Sequence, residues 1–401
     1  MLCDDPARSQ LFPFTHTRAM ADIRCGILTM RERWERLLSI QDSGTLTEPY
    51  LQAIYSTGKA EGLLVHAGVF ATAELAEAVT ALQPGESLSA AGVTIARRIA
   101  GDLPAFSDWQ SIEGAGIVKE YNGEVQRLQR PWDIFSLNDA AIREDYKLLT
   151  DGRESAPVPA GVTVTGSEFF IEQGGIVQPG TIINASTGPV YIGRNAEVME
   201  GCIIRGPFAL CEGATLKMGA KIYGSTTIGP ACKVGGEVSN VVFFANSNKG
   251  HDGYLGNAVI GEWCNLGADT NCSNLKNNYD EVKVWDEAAR KSVKTGLTFC
   301  GLLMGDHSKC GINTMFNTGT VAGVSCNIWG GGFPEKFIPS YSWGGPEGMS
   351  TYQFARAMET AERMMARRGK TLGAGERAML QHVFDQTSDD RSLVMGSTNN
   401  Q

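Results

Sequence analysis

The chain has 401 residues, enough for two or three domains, and its 42% hydrophobic and 20% charged residues are typical of a globular protein in water. Its net charge of −9 argues against a general nucleic-acid-binding protein, and no apolar run reaches the length of a membrane span. The start lacks the apolar stretch of a secretory signal, and none of the ten cysteines lies in a CxxC pair, so we expect thiols rather than disulfides or zinc ligands. These features predict a cytoplasmic protein.

Residues 1–150 are predicted to form an α/β domain. We expect an amphipathic helix over 17–41 and a buried strand over 63–71 that leads into a second helix. Residues 130–149 predict a turn and then a helix capped near Asn138 or Asp139. Residues 151–160 are rich in proline and small residues, which indicates a linker.

Residues 161–335 carry a six-residue repeat. Aliphatic residues recur in steps of six at Ile192, Val198, Ile204, Leu210, Leu216, Ile222, Ile228 and Val234. Four positions after each stand mostly small or apolar residues, namely Ala196, Cys202, Phe208, Ala214, Ala220, Thr226, Cys232 and Val238. Neither a helix nor an alternating strand has this period, and a chance glycine-rich sandwich would not keep it in phase. The repeat predicts a left-handed parallel β-helix with glycines 193, 219, 229 and 235 at its corners.

The repeat is interrupted twice. We expect it to resume, shifted by two residues, at Tyr254, Ile260, Leu266 and Cys272, and again at Met304, Cys310, Phe316, Ala322 and Ile328. Residues 275–300 between these runs are predicted to leave the coil. Cysteines 202, 232, 310 and 326 fall at or near inward positions and are expected to be small core residues. Residues 336–401 predict a glycine- and proline-rich loop and then helices over about 351–368 and 374–387.

A cluster of ionisable residues and glycines lies where the repeat first breaks. His251 is a natural general base for an attacking amine or hydroxyl, because the pKa of an imidazole lies near the working pH. Asp252 or a nearby carbonyl could orient the imidazole, and Lys249 could neutralise a phosphate. The ordinary alternative for a single histidine is a solvated corner, but its place at the break favours function.

Two further groups are candidates for contacts with a cofactor. His307 and Lys309 lie in phase on a later coil, where a merely polar corner is an equal alternative. Small and amide side chains on one coil could line a groove for a pantetheine arm, although asparagine ladders in β-helices are often structural. These residues are Asn265, Ala268, Asn271, Ser273 and Asn274.

The stretch GHDGYLGNAVIGEWCNLGADTNCSN over residues 250–274 resembles the acetyltransferase domain of the bifunctional UDP-N-acetylglucosamine pyrophosphorylase/glucosamine-1-phosphate N-acetyltransferase family. The chain as a whole looks like a divergent, GlmU-like branch of sugar nucleotidyltransferases. That wider resemblance rests on residues 4–34, on MGDHSKCGINTMFNTGTVAG and on GGGFPEKFIPSYSWGG.

The resemblance implies an acetyl-CoA-dependent N-acetyltransferase acting on an amino sugar phosphate. It implies that His251 is the catalytic base and that Tyr254 lies at the sugar phosphate. It further implies that Asn265 and Asn274 contact the acceptor and the CoA, and that Ala268 lies on the CoA path. The family's phosphate-binding arginine after GPFA is replaced here by Leu210, for which Arg205 or Lys217 could substitute.

The same resemblance implies a nucleotidyltransferase-like first domain that binds UTP or another nucleoside triphosphate. Thr17 and Arg18 could stand in for the Thr-Arg of the family's phosphate loop, with Arg24 nearby. The first 25 residues contain no glycine, and no matching lysine follows, so the backbone cradle for phosphates is missing. Asn138 and Asp139 could hold Mg²⁺, although a helix cap explains them equally well.

Several functions remain open from the sequence. The leading hypothesis is the acyltransferase, assembled as a homotrimer with sites between neighbours. The alternative is a sugar-1-phosphate nucleotidyltransferase whose β-helix is structural or regulatory. A zinc enzyme of the carbonic anhydrase type would need three converging histidines, and the coil has only His251 and His307. A non-catalytic binding scaffold is the fourth reading.

Overall fold

A computed structural model of the chain describes residues 1–57, 62–99, 101, 103–104, 106–110 and 116–397. It contains an N-terminal α/β domain, a parallel β-helix whose strands run from Thr163 to Gly345, and a C-terminal group of helices. The predicted fold class, an α/β domain followed by a left-handed parallel β-helix and C-terminal helices, is confirmed.

The N-terminal domain is built on a mixed six-stranded sheet. Its strands lie in the order Thr45–Leu46, Leu2–Cys3, Leu63–His66, Val93–Arg98, Glu86–Ala90 and Ile117–Glu120. The first three strands are parallel to one another. The α-helices of this domain are Met30–Leu37, Pro49–Gln52, Ala73–Thr80, Asp133–Ser136 and Asn138–Thr150, and 3₁₀ turns cover Pro6–Leu11, Phe14–His16 and Met20–Asp22.

Two expectations for this domain are wrong. The helix predicted over 17–41 is formed only at Met30–Leu37, where Thr29 and Glu32 make a capping box, because the backbone before it is held by contacts with other segments. Neither Asn138 nor Asp139 caps the following helix, whose N-cap is Leu137 without a side-chain cap. The predicted strand and helix over 63–80 are present but shorter.

The β-helix is a three-sided prism in which parallel strands of successive coils stack in register. The first face carries Thr163–Thr165, Ile182–Asn184, Ile203–Arg205, Lys221–Tyr223, Asn271–Cys272, Met315–Phe316 and the first halves of Glu237–Phe243 and Tyr254–Ile260. The second face carries the other halves of those two strands with Phe169–Ile171, Val190–Ile192, Phe208–Leu210, Thr226–Ile228, Leu303–Met304, Val321–Ala322 and Phe337–Ile338. The third face carries Ile176–Val177, Glu197–Val198, Thr215–Leu216, Lys233–Val234, Asn248–Lys249, Asn265–Leu266, Lys309–Cys310, Asn327–Ile328 and Ser342–Gly345, the last paired with Gly348–Thr351.

The six-residue phase is confirmed by burial. All eight aliphatic positions from Ile192 to Val234 are buried, as are the eight residues four positions after each. The four inward cysteines belong to the same core, and all ten cysteines of the chain are free and buried. The phase was wrong at one point. Leu255, not Tyr254, stands in register with Val238 and points inward, because the step from Leu255 to the next inward residue, Ile260, is five residues rather than six.

The N-terminal domain covers the second face of the prism. The outward residues of that face are apolar or small and buried, namely Phe170, Tyr191, Ala209, Thr227, Val242, Val259, Leu303, Val321 and Phe337. Those in the upper coils belong to one hydrophobic core with the N-terminal sheet and helices. Lower down, Ile27, Leu28, Ile142 and Leu149 pack against the same face. The C-terminal region contacts the third face, where Arg368 donates to Asn248 Oδ1 at 2.9 Å.

Residues 275–300 leave the coil, as predicted, and form an antiparallel hairpin of Lys283–Asp286 with Lys291–Lys294. The C-terminal helices are Phe354–Ala366, Ala374–Gln386 and Ser388–Ser397. Their buried side chains join Val324, Tyr341 and Leu51 in a separate core. No helix within the described ranges is both long and apolar enough to cross a bilayer.

Candidate functional site

His251 lies on the corner between the third and first faces. We use the name His251 corner for this corner in the coil of His251 and in the adjacent coils. In a three-sided prism this corner is opposite the second face and therefore points away from the N-terminal domain. The imidazole is exposed, and it makes no hydrogen bond with any residue that the structure describes. The Asp252 side chain is exposed as well and does not orient the imidazole. A ligand at this corner can reach the ring nitrogens without displacing a protein partner.

Lys249 supports the backbone on which His251 sits. It occupies an inward position in register with Val234 and is only 1% exposed. Its Nζ donates to the carbonyl oxygens of His251 at 2.9 Å, Asp252 at 3.3 Å and Gly235 at 3.3 Å. Burial lowers the pKa of Lys249 to about 8. The prediction that Lys249 binds a substrate phosphate is therefore wrong, because its ammonium group lies inside the coil.

Tyr254 begins the first-face strand next to the His251 corner. Its hydroxyl accepts a hydrogen bond from Asn274 Nδ2 at 3.0 Å, and the same amide donates to Asn257 Oδ1 at 2.8 Å. The ring extends over Gly256, where an added Cβ would stand 2.3 Å from the Tyr254 hydroxyl. Burial raises the pKa of Tyr254, which keeps the phenol protonated at neutral pH. The structure thus brings together two of the predicted site residues, Tyr254 and Asn274.

The coil above the His251 corner brings two more predicted residues near it. Asp269 N donates to the Asp252 carbonyl at 3.0 Å, which places Ala268 at the same corner one coil higher. Asn271 Oδ1 accepts from Tyr254 N at 2.8 Å and ties the two coils together. Asn265 lies on the third face, in register with Asn248.

Glu237 and Tyr223 lie on the first face near Tyr254 and were not predicted as site residues from the sequence. Glu237 stands in register directly below Tyr254 on the first face. Its carboxylate accepts a hydrogen bond of 2.5 Å from the Tyr223 hydroxyl, and this bond raises the pKa of Tyr223. Lys221 lies one coil below Glu237 in the same column. In the sequence, Lys221 and Tyr223 flank the inward Ile222, and Glu237 precedes the inward Val238. This alternation indicates that the three polar side chains point outward on this face.

The candidate replacements for the missing phosphate arginine lie at unequal distances from His251. Lys217 is at the His251 corner, where an added Cβ at Gly235 would contact its side chain, and Gly235 in turn lies against Gly250. Arg205 is exposed on the first face in a coil well below Tyr254. The structure therefore favours Lys217, with Lys221, as the basic groups near the corner.

The structure separates His307 and Lys309 from the other predicted cofactor residues. His307 lies at the corner between the second and third faces, where it is buried and stacks on Trp263 at a centroid distance of 6.4 Å. Burial lowers the pKa of His307 to about 3 and that of Lys309 to about 8. Lys309 Nζ donates to the His307 carbonyl at 2.7 Å. Because His307 is buried and Lys309 Nζ is directed to its carbonyl, neither lies with the other residues predicted to bind the cofactor. The two coil histidines also do not converge as a zinc site requires.

Arg18 also departs from its predicted role. Its guanidinium forms a buried ion pair of 2.6 Å with Asp306 on the β-helix, and Thr17 Oγ1 donates to the same carboxylate at 2.7 Å. The guanidinium lies over the Phe244 ring at 4.7 Å. Arg24 is buried too and bonds to the Ile27 carbonyl and to Glu32. Arg18 therefore forms an ion pair between the N-terminal domain and the β-helix and does not face a nucleotide.

Asn138 and Asp139 do not form the predicted Mg²⁺ site. Asn138 is buried, accepts from Gly26 N at 2.7 Å and donates to the Ser225 carbonyl at 2.8 Å. Asp139 is paired with Arg143 at 2.7 Å and accepts from the Ser225 hydroxyl at 2.6 Å. Both side chains are engaged in holding the helix against the β-helix. Among the described residues, no three His, Cys, Asp or Glu side chains come together as a metal site.

Comparison with known proteins adds the following. Residues 1–154 match the family model described as sugar nucleotidyl transferase. The chain is 31% identical to the bifunctional protein GlmU of Methanocaldococcus jannaschii over 208 residues, which cover 52% of this chain and 44% of that protein. It is 29% identical to a bifunctional sugar-1-phosphate nucleotidylyltransferase/acetyltransferase of Sulfurisphaera tokodaii, over 55% of this chain and 49% of that protein. The resemblance inferred from the sequence motifs is confirmed, and the chain spans about half the length of these curated relatives.

Solved structures of acyltransferases are also similar to this chain. The UDP-N-acetylglucosamine acyltransferase of Francisella novicida matches with 13% identity and a TM-score of 0.27, over 58% of this chain and 89% of that chain. The polySia specific acetyltransferase NeuO matches with 16% identity and a TM-score of 0.27, over 47% of this chain and 84% of that chain.

Proposed function

We propose that the chain is an acetyl-CoA-dependent N-acetyltransferase that acts on an amino sugar phosphate of the glucosamine 1-phosphate type. The observation that carries the proposal is the His251 corner. There an exposed imidazole stands on a backbone fixed by a buried lysine, beside a tyrosine–asparagine pair. The relative from Sulfurisphaera tokodaii is named as a bifunctional sugar-1-phosphate nucleotidylyltransferase/acetyltransferase, which supports this reaction class.

In this reaction the amino nitrogen of the sugar attacks the thioester carbonyl of acetyl-CoA, and His251 accepts a proton from that amino group. The carbon–sulfur bond then breaks, and the thiolate of CoA leaves and takes up a proton. Tyr254 and Asn265 supply hydroxyl and amide groups beside the acceptor. Lys217 and Lys221 give the sugar phosphate a positive environment in a chain of net charge −9. Ala268 and Asn274 are the residues that we assign to the pantetheine arm of CoA.

We propose that the active protein is a homotrimer, with each His251 corner facing a neighbouring protomer. The first face and the His251 corner expose large apolar side chains, which are Ile182, Ile203, Met218, Ile312 and Met315. Their exposed fractions range from 37% for Met315 to 70% for Ile312. Ile182 and Ile203 are adjacent in register on neighbouring coils, and exposed apolar surface marks an interaction site. A monomer in light scattering at micromolar concentration would contradict this assembly. The ten free thiols favour a reducing compartment such as the cytoplasm.

The family match of residues 1–154 supports a second candidate, transfer of a nucleotidyl group from UTP or another nucleoside triphosphate to a sugar 1-phosphate. The side chains at the carboxyl end of the first strand are committed to internal contacts. Asp4 is buried against Arg8 at 2.9 Å, and Asp5 pairs with His66 at 3.1 Å. Arg18 is held by Asp306. We therefore expect acetyl transfer to be the robust activity and nucleotidyl transfer to be weak.

The test is an assay of the full chain for both reactions. Release of CoA from acetyl-CoA is followed with glucosamine 1-phosphate as the acceptor, and release of pyrophosphate is followed with Mg²⁺, UTP and N-acetylglucosamine 1-phosphate. Acceptor-dependent release of CoA supports the proposal. Rapid pyrophosphate release without any acetyl transfer would replace it with the nucleotidyltransferase.

A further inference from the structure

A cavity of about 720 Å³ lies away from the His251 corner, at the upper end of the β-helix. It is lined by the hairpin of residues 283–294, by residues 333–349 of the last coil and by the C-terminal helix Ser388–Ser397. This volume is within the range of sites for small organic ligands. None of the residues proposed above for acetyl transfer lines it.

The lining of the cavity combines cations with an aromatic wall. Lys276, Lys283 and Lys336 line it against a single carboxylate, that of Glu335. Trp285 stacks on Phe337 with ring centroids 4.9 Å apart and an angle of 20° between the rings. The local excess of positive charge contrasts with the net charge of −9 of the whole chain. Together with the aromatic wall, it favours an anionic ligand that carries a planar group.

Two of the lysines and the indole nitrogen at the cavity lack strong partners of their own, whereas Lys276 donates to the Glu281 carbonyl at 2.6 Å. Lys336 Nζ reaches only the Thr318 hydroxyl, at 3.3 Å, and burial together with the charge of Lys276 lowers its pKa. Within the part of the chain that the structure describes, Lys283 has no carboxylate partner. The Trp285 Nε1 is buried without a hydrogen-bond acceptor. A buried donor without an acceptor is unfavourable, so a ligand oxygen or nitrogen that accepts a hydrogen bond at this position would be stabilising.

The geometry points to a nucleotide-binding site in this cavity, in which a nucleobase packs against the Trp285–Phe337 wall and phosphate groups meet Lys283 and Lys336. Hairpin pairing places Trp285 opposite Ser292 and Lys283 opposite Lys294, so Trp285 and Lys283 project on the same side of the hairpin. The lysines bind phosphate as point charges, and the aromatic wall supplies the apolar surface that a base needs. Two sources share this chemistry, the adenosine 3′,5′-bisphosphate end of CoA and a free nucleoside di- or triphosphate.

Quenching of tryptophan fluorescence and calorimetry on the full chain test the site, with adenosine 3′,5′-bisphosphate, UTP, adenosine and inorganic phosphate as separate probes. We expect saturable binding of at least one phosphorylated nucleoside and much weaker binding of adenosine or phosphate alone. Preference for adenosine 3′,5′-bisphosphate assigns the site to CoA, and preference for UTP assigns it to a free nucleotide. Lys283→Glu and Lys336→Glu should each weaken binding by about tenfold or more, since each removes a charge-assisted contact.

Lys291→Glu is the matched control, because Lys291 is exposed on the opposite side of the same hairpin. It should leave the affinity within about twofold of wild type. His251→Ala should bind as wild type does, so a failure of acetyl transfer is distinguishable from a failure of this inference. Absence of saturable binding by every probe, equal affinity for inorganic phosphate, or unchanged affinity in both lysine variants would overturn it.

Discussion

Arg18 and Asp306, which are far apart in sequence, form a buried ion pair of 2.6 Å across the boundary between the N-terminal domain and the β-helix. Removal of one partner of a buried pair leaves an uncompensated charge, which costs about 3–5 kcal/mol. Arg18→Met should therefore lower the free energy of unfolding by about this amount in a denaturant titration. Arg205→Met, at an exposed arginine of the β-helix, is the control. If Arg18 instead faced a nucleotide, the variant would lose UTP binding and keep its stability.

His251→Ala should reduce the rate of acetyl transfer by about a hundredfold to ten-thousandfold, which is the usual cost of losing a general base. The melting temperature should not change, because the imidazole is exposed and makes no hydrogen bond with the described residues. His382→Ala is the control for activity, since His382 is also exposed but lies on a C-terminal helix, where it stacks on Tyr50. Wild-type turnover by His251→Ala would show that another group is the base.

Leu216→Asp tests the phase of the repeat. Leu216 is fully buried in the β-helix core, and an unpaired carboxylate there costs several kcal/mol. We expect no soluble protein on expression. Thr215→Asp, one residue earlier on the same strand, places its carboxylate outside and should express normally. Equal yields of the two folded variants would be incompatible with the assigned inward positions.

Lys249 should give the stability of the protein a defined pH dependence. Burial lowers its pKa from 10.5 to about 8, so between these values the unfolded chain binds a proton that the folded chain does not. The free energy of unfolding of wild type should then rise relative to that of Lys249→Met as the pH increases from about 8 to about 10.5, by up to about 3 kcal/mol. The difference between the two proteins removes the contributions of the thiols and tyrosines common to both. A difference that is flat over this window would mean that Lys249 is solvated.

The β-helix was predictable because one rule governs every coil: positions such as Leu216 and Ile222 must be inward and apolar. The inward position of Lys249 was not predicted, because a lysine in a glycine-rich stretch is typical of a loop. Only the structure shows the three carbonyl oxygens that bind its ammonium group inside the coil. Tyr254 was placed one position off because a corner length is not fixed by periodicity. The roles of Arg18 and Asn138 were not predictable, since their partners Asp306 and Ser225 are distant in sequence.

The continuous core that joins the N-terminal domain to the second face of the β-helix has a consequence for the chain as a whole. Each half provides the apolar surface against which the other packs. Separation of the two pieces after a cut near Pro159 would therefore expose the apolar surface of both. Heat or denaturant should unfold these two parts in a single cooperative transition rather than one after the other. For the same reason, a substitution on the shared surface changes the packing of both halves at once.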